Sequence, residues 1–302
     1  MPEAVSRGKA IPRRTLDLIS VKQYKSWIMK LQGKVAIITG ASMGIGEEIA
    51  KLFAREGARL VLCARDLERL QAAEQRIGAG ENAISVACDV SRRDQIDAMV
   101  QAALKKFGRI DILVNNAGFG LNDSLAALDM AQARRLFDTN LFGAMECMQA
   151  VIPVMRQQGG GDIVNISSVS GHIAMPYSGV YAASKHAMNA MGFAARLELK
   201  RHNINVLTVS PGFIATDFTK NMIRGKSGER FGGSVKYAVK PDVVARATLR
   251  GMLQRKREVI TPRFYSMPIK LYENFPGLVE RMLRRSMRPT DQVMAERDGK
   301  AG

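Results

Sequence analysis

Cysteine, histidine and proline are scarce in this 302-residue sequence, which contains three, three and ten of them respectively. The cysteines, Cys63, Cys88 and Cys147, are odd in number and form no Cys-x-x-Cys pair. Neither a disulfide framework nor a zinc site is therefore indicated, and a reducing compartment is favoured. The histidines show no metal-ligand spacing with carboxylates, so we expect no bound metal and only surface or structural roles for His172, His186 and His202.

Long apolar runs are also missing. No stretch of about 18 consecutive apolar residues is present. The N-terminal region lacks an apolar signal core followed by a small-residue cleavage site. We therefore expect a protein that neither spans a membrane nor is exported by a signal peptide, and we expect it in the cytoplasm.

The composition that remains is typical of a packed globular protein, with 46% hydrophobic and 24% charged residues. The net charge is +17, but it is concentrated towards the ends. Residues 1–34 contain eight Lys/Arg against two Asp/Glu, and residues 246–288 contain eleven against three. Residues 35–245 are nearly balanced and carry no basic stripe interleaved with aromatic residues, which argues against nucleic-acid binding.

Short apolar runs alternate with longer helical patterns from Lys34 onwards. The runs KVAIIT, ARLVLCA, NAISVACDV, DILV, GDIVNISS and INVLTVSPG predict buried strands, and a last strand, REVIT, ends at Thr261. Helices are predicted between them, including a long one from Ser124 to Gln157 and a final one from about Pro241 to Gln254. Apolar strands alternating with helices predict an α/β fold: one doubly wound parallel sheet over residues 34–261, with basic extensions at 1–33 and 262–302.

The first predicted strand runs into a glycine-rich turn and then directly into a helix. Glycines at such a turn let backbone N–H groups approach a pyrophosphate at the positive N-terminus of the helix. An ordinary glycine-rich turn is the alternative, but the flanking strand and helix favour a dinucleotide site. The candidate cofactor-binding residues here are Gly40, Ser42, Met43, Gly44, Ile45 and Gly46.

The end of the second predicted strand bears on which dinucleotide is bound. An acidic residue there holds the ribose 2′-hydroxyl of NAD, whereas a nearby Arg suits the 2′-phosphate of NADP. This strand ends in Ala64 followed by Arg65, which favours NADP(H) over NAD(H). Asp66 can reach the ribose, but its place immediately before a helical segment favours an N-cap. A merely solvated Arg65 is the alternative.

Further motifs follow in order along the chain: NNAG at 115–118, Asn140, the Ser167-Ser168 pair, Tyr181-x-x-x-Lys185 and Pro211-Gly212. Together with the glycine turn, the set resembles the short-chain dehydrogenase/reductase family over residues 34–261. The resemblance implies a Rossmann fold and a nicotinamide-dependent oxidoreductase acting on CH–OH groups. It also implies a homodimer or homotetramer, which no motif in the chain shows.

Tyr181 and Lys185 are four residues apart, so on a helix they share one face. A free phenol has a pKa of about 10, which is too high for efficient proton exchange at neutral pH. A neighbouring ammonium group stabilises the phenolate, so we expect Lys185 to lower the pKa of Tyr181. A packed Tyr with its Lys in solvent is the alternative reading of the spacing.

The resemblance assigns roles to four residues. It implies that Tyr181 is the general acid/base and that Lys185 also binds the nicotinamide ribose. It further implies that Ser168 forms a hydrogen bond with the substrate oxygen and that Asn140 positions a water molecule in a proton relay behind Lys185. Ser167 is the neighbouring alternative to Ser168. The same resemblance adds further cofactor-binding residues at the later motifs: Asp89, Val90, Asn116, Ala117, Gly118, Pro211, Gly212 and Thr216.

The segment 213–240 follows the sixth predicted strand, so it should lie over the carboxyl ends of the strands, where ligands bind in such sheets. It is rich in apolar residues and predicts a lid over an apolar substrate; plain packing is the alternative. Its apolar members are Phe213, Ile214, Phe218, Met222, Ile223, Phe231, Val235 and Tyr237. The candidate substrate-binding residues are Ser168, Tyr181, Phe119, Met175 and Phe213.

Both basic extensions have helical apolar spacing. The N-terminal one places Val21, Tyr24, Ile28 and Leu31 on one face, and the C-terminal one is divided by Pro262, Pro268 and Pro276. Basic amphipathic segments can lie on an anionic membrane surface, so peripheral membrane contact is one interpretation. The other is that both extensions pack on the protein, forming a dimer or roofing the pocket.

These observations together predict an NADP(H)-dependent reductase that interconverts a carbonyl and a secondary alcohol on an apolar, lipid-like or steroid-like substrate. A 3-oxoacyl thioester reductase is the alternative within the same chemistry. From another class, a non-catalytic NADP-binding sensor or scaffold would keep the fold, but such a protein would not need all four of Asn140, Ser168, Tyr181 and Lys185.

Overall fold

The structure is a computed structural model, and it describes residues 29–218, 220–225 and 238–284. The predicted N-terminal face at Val21, Tyr24 and Ile28 lies outside the described residues. So do three of the predicted lid residues, Phe231, Val235 and Tyr237.

Nine strands form two parallel sheets in the described chain. Seven of them make the central sheet, in the order β3-β2-β1-β4-β6-β7-β9, and β5 pairs with β8 in a small second sheet. This is the doubly wound parallel sheet that the sequence predicts. The strands are β1 (Val35–Thr39), β2 (Arg59–Ala64), β3 (Ala83–Ala87), β4 (Ile112–Asn115), β5 (Leu121–Asn122), β6 (Gly161–Ile166), β7 (Ile204–Pro211), β8 (Ile223–Arg224) and β9 (Glu258–Thr261).

Nine α-helices accompany the strands in the same part of the chain. In chain order they are α1 (Gly44–Arg55), α2 (Leu67–Ile77), α3 (Arg93–Phe107), α4 (Met130–Phe137), α5 (Gly143–Gln157), α6 (Gly179–Leu199), α7 (Pro241–Leu253), α8 (Ser266–Asn274) and α9 (Pro276–Arg284).

The sheet has a hydrophobic core on each face, because successive strand residues point to opposite sides. In β1, Ala36 and Ile38 contribute to the core covered by α1, α2 and α7, whereas Val35 and Ile37 contribute to the core covered by α3, α5 and α6. Every residue of β1 is buried, which explains why the strand reads as one continuous apolar run rather than an alternating one.

The strand order reverses between β1 and β4. The chain leaves β1 towards β2 and β3 on one side, and returns through β4 towards β6 and β7 on the other. The loops at the carboxyl ends of β1 and β4 therefore diverge and leave a crevice, which is where doubly wound sheets bind ligands. The glycine turn and the NNAG sequence follow these two strands.

The long predicted helix from Ser124 to Gln157 is wrong at its start and in its continuity. Helix α4 begins at Met130, because Asp129 accepts a hydrogen bond from the Ala131 amide at 2.8 Å and caps the helix. Residues Asp138–Phe142 form a π-helical turn between α4 and α5. Strands β5 and β8 were not predicted, because two-residue strands carry no detectable periodicity in the sequence.

Helix α7 and strand β9 follow the prediction, and β9 closes the sheet beside β7. Beyond it, the extension forms α8 and α9, which are divided at Pro276 as predicted. The predicted break at Pro268 is wrong: Pro268 lies in the first turn of α8, where a helix needs no amide donor from it. At the other end Leu31 is buried in the core. Of the two interpretations of the extensions, packing on the protein explains the position of Leu31. It explains only part of the C-terminal extension, where many apolar side chains are exposed.

All three cysteines are buried and free, and burial raises the pKa of each thiol, that of Cys88 to about 11. They act as small apolar core residues. No helix in the described ranges is both long enough and apolar enough to cross a membrane.

Candidate active site

The turn after β1 has the backbone conformation that its glycines permit. Gly40 and Gly44 adopt positive φ angles of 65° and 61°. A Cβ on Gly46 would lie 2.3 Å from the Gly40 carbonyl oxygen, so any larger residue would force α1 away from the turn. No side chain caps the N-terminus of α1 at Met43. Its first amide groups and the helix dipole therefore suit an anionic ligand.

Asn116 joins the glycine turn to the loop that follows β4. Its side-chain amide donates to the carbonyl oxygens of Thr39 at 2.9 Å and Gly40 at 3.0 Å. The Thr39 hydroxyl completes the link by accepting from the amides of Asn116 and Ala117, both at 3.0 Å. Asn116 thus fixes the crevice between β1 and β4, and nothing in the NNAG sequence alone reveals this contact.

A cavity of about 420 Å³ lies between α1 and the loop after β7. Thr216 forms one wall, because its Cγ2 atom lies 3.4 Å from the position that a Cβ on Gly44 would take. The cavity meets the uncapped N-terminus of α1, whose amide groups suit the pyrophosphate of a dinucleotide. Each of the three carboxylates in its lining is paired with a lysine, Glu47 and Glu48 with Lys51 and Asp217 with Lys220. It is lined by Gly44, Glu47, Glu48, Ala215, Thr216, Asp217, Lys220 and Pro241.

Arg65 follows β2 directly and is exposed at the carboxyl end of the sheet. The next residue, Asp66, accepts a hydrogen bond from the Arg69 amide at 3.0 Å and caps α2. Arg76 has a different role: it forms two hydrogen bonds of 2.9 Å to Glu47. Asp66 is the N-cap that the sequence analysis favoured, and Arg65 is the cation nearest in sequence to the strand end.

The loop after β3 is shaped by hydrogen bonds of its own. The Asp89 carboxylate accepts from the Ser91 amide at 3.0 Å and the Ser91 hydroxyl at 2.8 Å. Val90 is buried, and a Cβ on Gly143 would lie 2.4 Å from its carbonyl oxygen. The structure thus places Asp89 and Val90 in a closely packed loop at the carboxyl end of β3.

Ser168 and Tyr181 are brought together by the loop after β6 and the first turn of α6. The Ser168 side chain lies near enough to the Tyr181 phenol to act on its pKa, and it accepts a hydrogen bond from the Ser170 amide at 3.0 Å. The hydroxyl of Ser167 points elsewhere and donates to the Lys185 carbonyl at 3.3 Å. Of the two adjacent serines, Ser168 is therefore the one beside the Tyr181 phenol.

Lys185 lies one turn along α6 from Tyr181 and is buried. Its ammonium group donates to the Ile166 carbonyl at 3.0 Å and lies 5.8 Å from the centroid of the Tyr181 ring. Burial lowers the pKa of Lys185 to about 8. The ammonium is thus held by the end of β6 rather than directed into solvent.

The expected lowering of the Tyr181 pKa by Lys185 is not what the structure gives. Desolvation raises the pKa of Tyr181 to about 12, and the neighbouring Ser168 hydroxyl, which acts to lower it, offsets only part of that rise. The physical reason is that burial disfavours the charged form of both groups. The phenol therefore stays protonated, and the ammonium group gives up its proton more readily. Sequence spacing carries no information on desolvation.

Asn140 lies in the π-helical turn and is fully buried. It bridges to Phe119 in both directions, with its amide donating to the Phe119 carbonyl and its oxygen accepting from the Phe119 amide, each at 3.0 Å. A Cβ on Gly118 would lie 2.9 Å from the Asn140 oxygen and 3.8 Å from the Lys185 nitrogen. Gly118 therefore allows Asn140 and Lys185 to approach the same space.

Apolar lid residues reach Tyr181. The rings of Phe218 and Tyr181 are 5.9 Å apart, and Met222 and Phe218 lie 2.6 Å and 3.2 Å from where a Cβ on Gly120 would be. The sequence analysis named Phe218 and Met222 in the lid but did not select them as substrate residues. Phe218 and Met222 lie six and ten residues after Gly212. This spacing predicts no contact with the site, because lid loops have no regular periodicity.

The other candidate substrate residues lie around this region with different neighbours. The Phe119 ring has the Arg135 guanidinium 5.8 Å from its centroid, and the Met175 carbonyl accepts from the Ser178 amide at 3.2 Å. Phe213 is exposed, and its ring lies 6.4 Å from the ring of Tyr265. Phe213 thus contacts the C-terminal extension.

Gly212 marks a contact that the sequence did not reveal. A Cβ on Gly212 would lie 2.0 Å from a ring carbon of Tyr265, whose hydroxyl accepts from the Phe213 amide at 3.3 Å. The Pro211-Gly212 sequence therefore provides the surface on which the C-terminal extension packs. In the described residues no three His, Cys, Asp or Glu side chains are grouped as a metal site would need.

Comparison with known sequences identifies the family. The sequence model of the short chain dehydrogenases matches residues 34–227. The protein belongs to the short chain dehydrogenase family. It is an oxidoreductase of the kind that acts on CH–OH groups with a nicotinamide dinucleotide.

Relatives of this short chain dehydrogenase include dehydrogenase/reductase SDR family member 7B of Danio rerio. It is 35% identical over 255 residues, which cover 81% of this chain and 82% of the relative. An uncharacterized oxidoreductase of Staphylococcus saprophyticus is 37% identical over 219 residues, covering 72% and 89%.

Solved structures agree with the fold. A short chain dehydrogenase/reductase of Burkholderia phymatum in complex with NAD has a TM-score of 0.74 at 27% identity and covers 82% of this chain and 96% of its own. The 3-ketoacyl-(acyl-carrier-protein) reductase of Brucella melitensis complexed with NADH has a TM-score of 0.69 at 30% identity, covering 78% and 99%. A nicotinamide dinucleotide is therefore the cofactor class of this fold.

Proposed function

We propose that this protein is an NADP(H)-dependent oxidoreductase that interconverts a carbonyl and a secondary alcohol on an apolar substrate. The observation that carries the proposal is that Ser168 and the buried Lys185 both adjoin Tyr181, next to the crevice of the glycine turn. A binding protein would need the glycine turn, but it would gain nothing from burying an ammonium group, which opposes folding.

Each of the four residues has a role in this proposal. A bound reduced dinucleotide supplies the hydride that reaches the carbonyl carbon. Tyr181, whose pKa of about 12 keeps it protonated at neutral pH, gives its proton to the carbonyl oxygen, which Ser168 holds by a hydrogen bond. Lys185, whose pKa is about 8, returns a proton to Tyr181, and Asn140 orders the path behind it. Alcohol oxidation uses the same steps in reverse.

Arg65 is the proposed determinant of NADP(H) over NAD(H). It is exposed at the carboxyl end of β2, Ala64 precedes it, and the carboxylate of Asp66 is held in the cap of α2. The strand end therefore offers a guanidinium for a 2′-phosphate, whereas one oxygen of the nearest carboxylate is engaged in the cap. Arg65→Ala should weaken NADPH binding about tenfold or more and leave NADH binding nearly unchanged. Equal effects on both would contradict the assignment.

The apolar substrate is supported by the side chains that approach Tyr181. Phe218 packs against its ring and Met222 adjoins Gly120, so the space beside the phenol has an aromatic and a thioether wall. Such walls favour apolar molecules with few polar groups. A 3-oxoacyl thioester is the second candidate substrate, since the Brucella melitensis relative is a 3-ketoacyl reductase.

A homodimer or homotetramer is supported by exposed apolar side chains on two long helices. Three exposed residues are Phe142, the last residue of the π-helical turn before α5, Met145 in the first turn of α5, and Leu197 near the end of α6. Large apolar residues at such positions are typical of surfaces buried between subunits. Sedimentation velocity tests this: Phe142→Gln with Met145→Gln should shift the protein towards monomer, and an unchanged sedimentation coefficient would count against these helices as the interface.

The test of the function combines binding and turnover. NADPH and NADH affinities are measured first, and NADPH oxidation is then screened over ketosteroids, 3-oxoacyl thioesters and long-chain ketones. Tyr181→Phe should retain NADPH affinity and lose about 10²- to 10⁴-fold in turnover. NADPH binding without turnover on any carbonyl would favour a sensor instead, and full activity of Tyr181→Phe would overturn the role of the phenol.

A further inference from the structure

The C-terminal extension exposes a series of large apolar side chains. Six of them, between residues 264 and 282, are from 38 to 79% exposed, and they recur every three or four residues. Six of the fifteen large hydrophobic residues exposed in the described chain thus fall within 19 positions. Monomeric surfaces rarely gather so much apolar area without a partner. The six are Phe264, Met267, Leu271, Phe275, Leu278 and Met282.

The segment that carries these exposed side chains is itself packed on the rest of the protein. Ile269 of α8 is buried, at 3% exposure. Tyr265 packs on Gly212 and stacks on Phe264 with ring centroids 4.5 Å apart. The extension is therefore packed on the body of the protein at Tyr265 and buries Ile269, whereas the exposed series faces away from these contacts.

Helix α9 shows the amphipathic division most clearly. Leu278, Val279 and Met282 fall on one side of the helix, and Glu280, Arg281 and Arg284 fall on the other. None of the residues of α9 is buried. On the apolar side Leu278 and Met282 are exposed and Val279 is half-buried. An amphipathic helix with exposed residues on its apolar face is typical of segments that lie in a membrane interface.

The charge around the exposed series selects the partner. Residues 262–284 carry four cations, Arg263, Lys270, Arg281 and Arg284, against two carboxylates, Glu273 and Glu280. A second copy of this surface would bring two positive surfaces together, and the segment 1–28, with six basic and two acidic residues, is positive as well. An anionic lipid surface complements both the charge and the apolar side chains.

We propose that the outer side of residues 264–284 docks this enzyme on an anionic lipid surface. The apolar side chains enter the boundary between headgroups and acyl chains, and the arginine and lysine side chains reach the lipid phosphates. Long basic side chains suit this arrangement, because their methylene stems lie along apolar surface while the charge stays in the polar layer.

The docked surface is directly connected to the proposed substrate lid. The Tyr265 hydroxyl accepts from the amide of Phe213, the first residue of the lid, and the two rings lie 6.4 Å apart. Docking would therefore place the lid beside the lipid phase, from which an apolar carbonyl compound can enter without crossing water. This part of the inference rests on the proposed apolar substrate; the docking itself does not.

Vesicle sedimentation tests the docking, using the full chain without cofactor or substrate. Vesicles are made of phosphatidylcholine alone or of phosphatidylcholine with phosphatidylglycerol. Wild-type protein should sediment with the mixed vesicles and much less with the neutral ones. Leu278→Gln with Met282→Gln should weaken that binding about tenfold or more. The matched control is Leu67→Gln with Leu253→Gln, two residues exposed elsewhere on the body, and it should bind like the wild type.

A second variant keeps the test informative if the first one folds poorly. Arg281→Gln with Arg284→Gln changes only the charged side of α9, and it should lose about tenfold or more on the mixed vesicles. Thermal unfolding midpoints verify that each variant is folded. A protein without reductase activity can still bind vesicles, and a protein that does not bind vesicles can still be a reductase. The experiment therefore tests the docking proposal separately from the reductase proposal.

Four results would overturn the docking proposal. They are no binding by the wild type, equal binding to neutral and anionic vesicles, binding that both α9 variants retain, and a change of oligomeric state in lipid-free buffer when Leu278 and Met282 are replaced. The last would show that the surface joins two copies of this chain.

Discussion

The side-chain amide of Asn116 donates to the carbonyl oxygen of Gly40 at 3.0 Å, across the crevice between β1 and β4. The same amide also bonds the Thr39 carbonyl at 2.9 Å. One side chain thus satisfies two backbone acceptors at the point where the strand order reverses. The crevice keeps its shape because these two loops are bonded to each other.

Asn116→Ala should damage both stability and cofactor binding. It leaves two backbone carbonyls without their donor, which costs about 1–3 kcal/mol of unfolding free energy. NADPH affinity should fall about tenfold, because the glycine turn loses its support. Asn116→Asp should be at least as damaging, since a carboxylate would face two carbonyl oxygens. Urea unfolding and fluorescence titration measure both effects, and a harmless Asn116→Asp would contradict the assigned hydrogen bonds.

Gly46→Ala should abolish dinucleotide binding while the chain still folds. The added Cβ would lie 2.3 Å from the Gly40 carbonyl oxygen, so α1 must move away from the turn that its N-terminus approaches. Gly277→Ala is the matched control, because a Cβ there meets nothing within 4 Å. Calorimetric titration with NADPH should show no heat of binding for the first variant and normal affinity for the second. Normal affinity of Gly46→Ala would disprove the close approach.

The buried Lys185 predicts a pH-dependent stability. Burial lowers its pKa from 10.5 in the unfolded chain to about 8 in the fold, so the unfolded state binds more protons between these values. Stability relative to Lys185→Met should therefore rise as the pH increases from 8 to 10.5, by about 3 kcal/mol in total. Denaturant unfolding across this range measures it. Lys200→Met, at an exposed residue, controls for the loss of one charge, and a flat difference for Lys185→Met would refute the depressed pKa.

The pair formed by His172 and Glu258 predicts a pH dependence of the same sign, but in the acidic range. Burial acts to raise the pKa of Glu258, but hydrogen bonds from His172 at 2.7 Å and Ser210 at 2.9 Å, with nearby positive charge, hold it below its usual 4.5. Its stabilising effect is therefore fully present above pH 4.5 and is lost as the pH falls through the lowered value. Glu258→Gln should be less stable than the wild type at neutral pH, by about 1–3 kcal/mol, and the difference should shrink in acid.

Unfolding curves of the wild type and Glu258→Gln at a series of acidic pH values measure this difference. His172→Gln, which removes the main partner, should reproduce part of the effect. A difference that stayed constant from neutral to acidic pH would show that the carboxylate is not held in its charged form by these contacts.

Gly212→Ala should loosen the C-terminal extension. The new methyl group would lie 2.0 Å from the Tyr265 ring, so Tyr265 must leave its place. We expect faster proteolysis at residues 262–284 and a loss of about 1–3 kcal/mol from overpacking. In a double-mutant cycle, Tyr265→Ala should remove most of the cost of Gly212→Ala. Strictly additive effects would show that the two residues do not interact.

The sequence determined the architecture of this protein by itself. Strands buried on both faces read as continuous apolar runs, and their alternation with helices leaves few topologies open. The glycine turn was also readable, because Gly40 and Gly44 need positive φ and Gly46 needs space beside a carbonyl. Asp66 was recognisable as a cap for the same local reason, since capping involves residues only three positions apart.

Only the tertiary structure decided what depends on distant parts of the chain. The pKa of Tyr181 rises because of desolvation, which no spacing along α6 encodes. Asn140 binds Phe119 from a π-helical turn that was expected to be plain helix, and Phe218 reaches Tyr181 from a loop with no periodicity. The packing of Tyr265 on Gly212 joins residues 53 positions apart. Periodicity reports the local conformation of the backbone, whereas burial and contact depend on segments that only folding brings together.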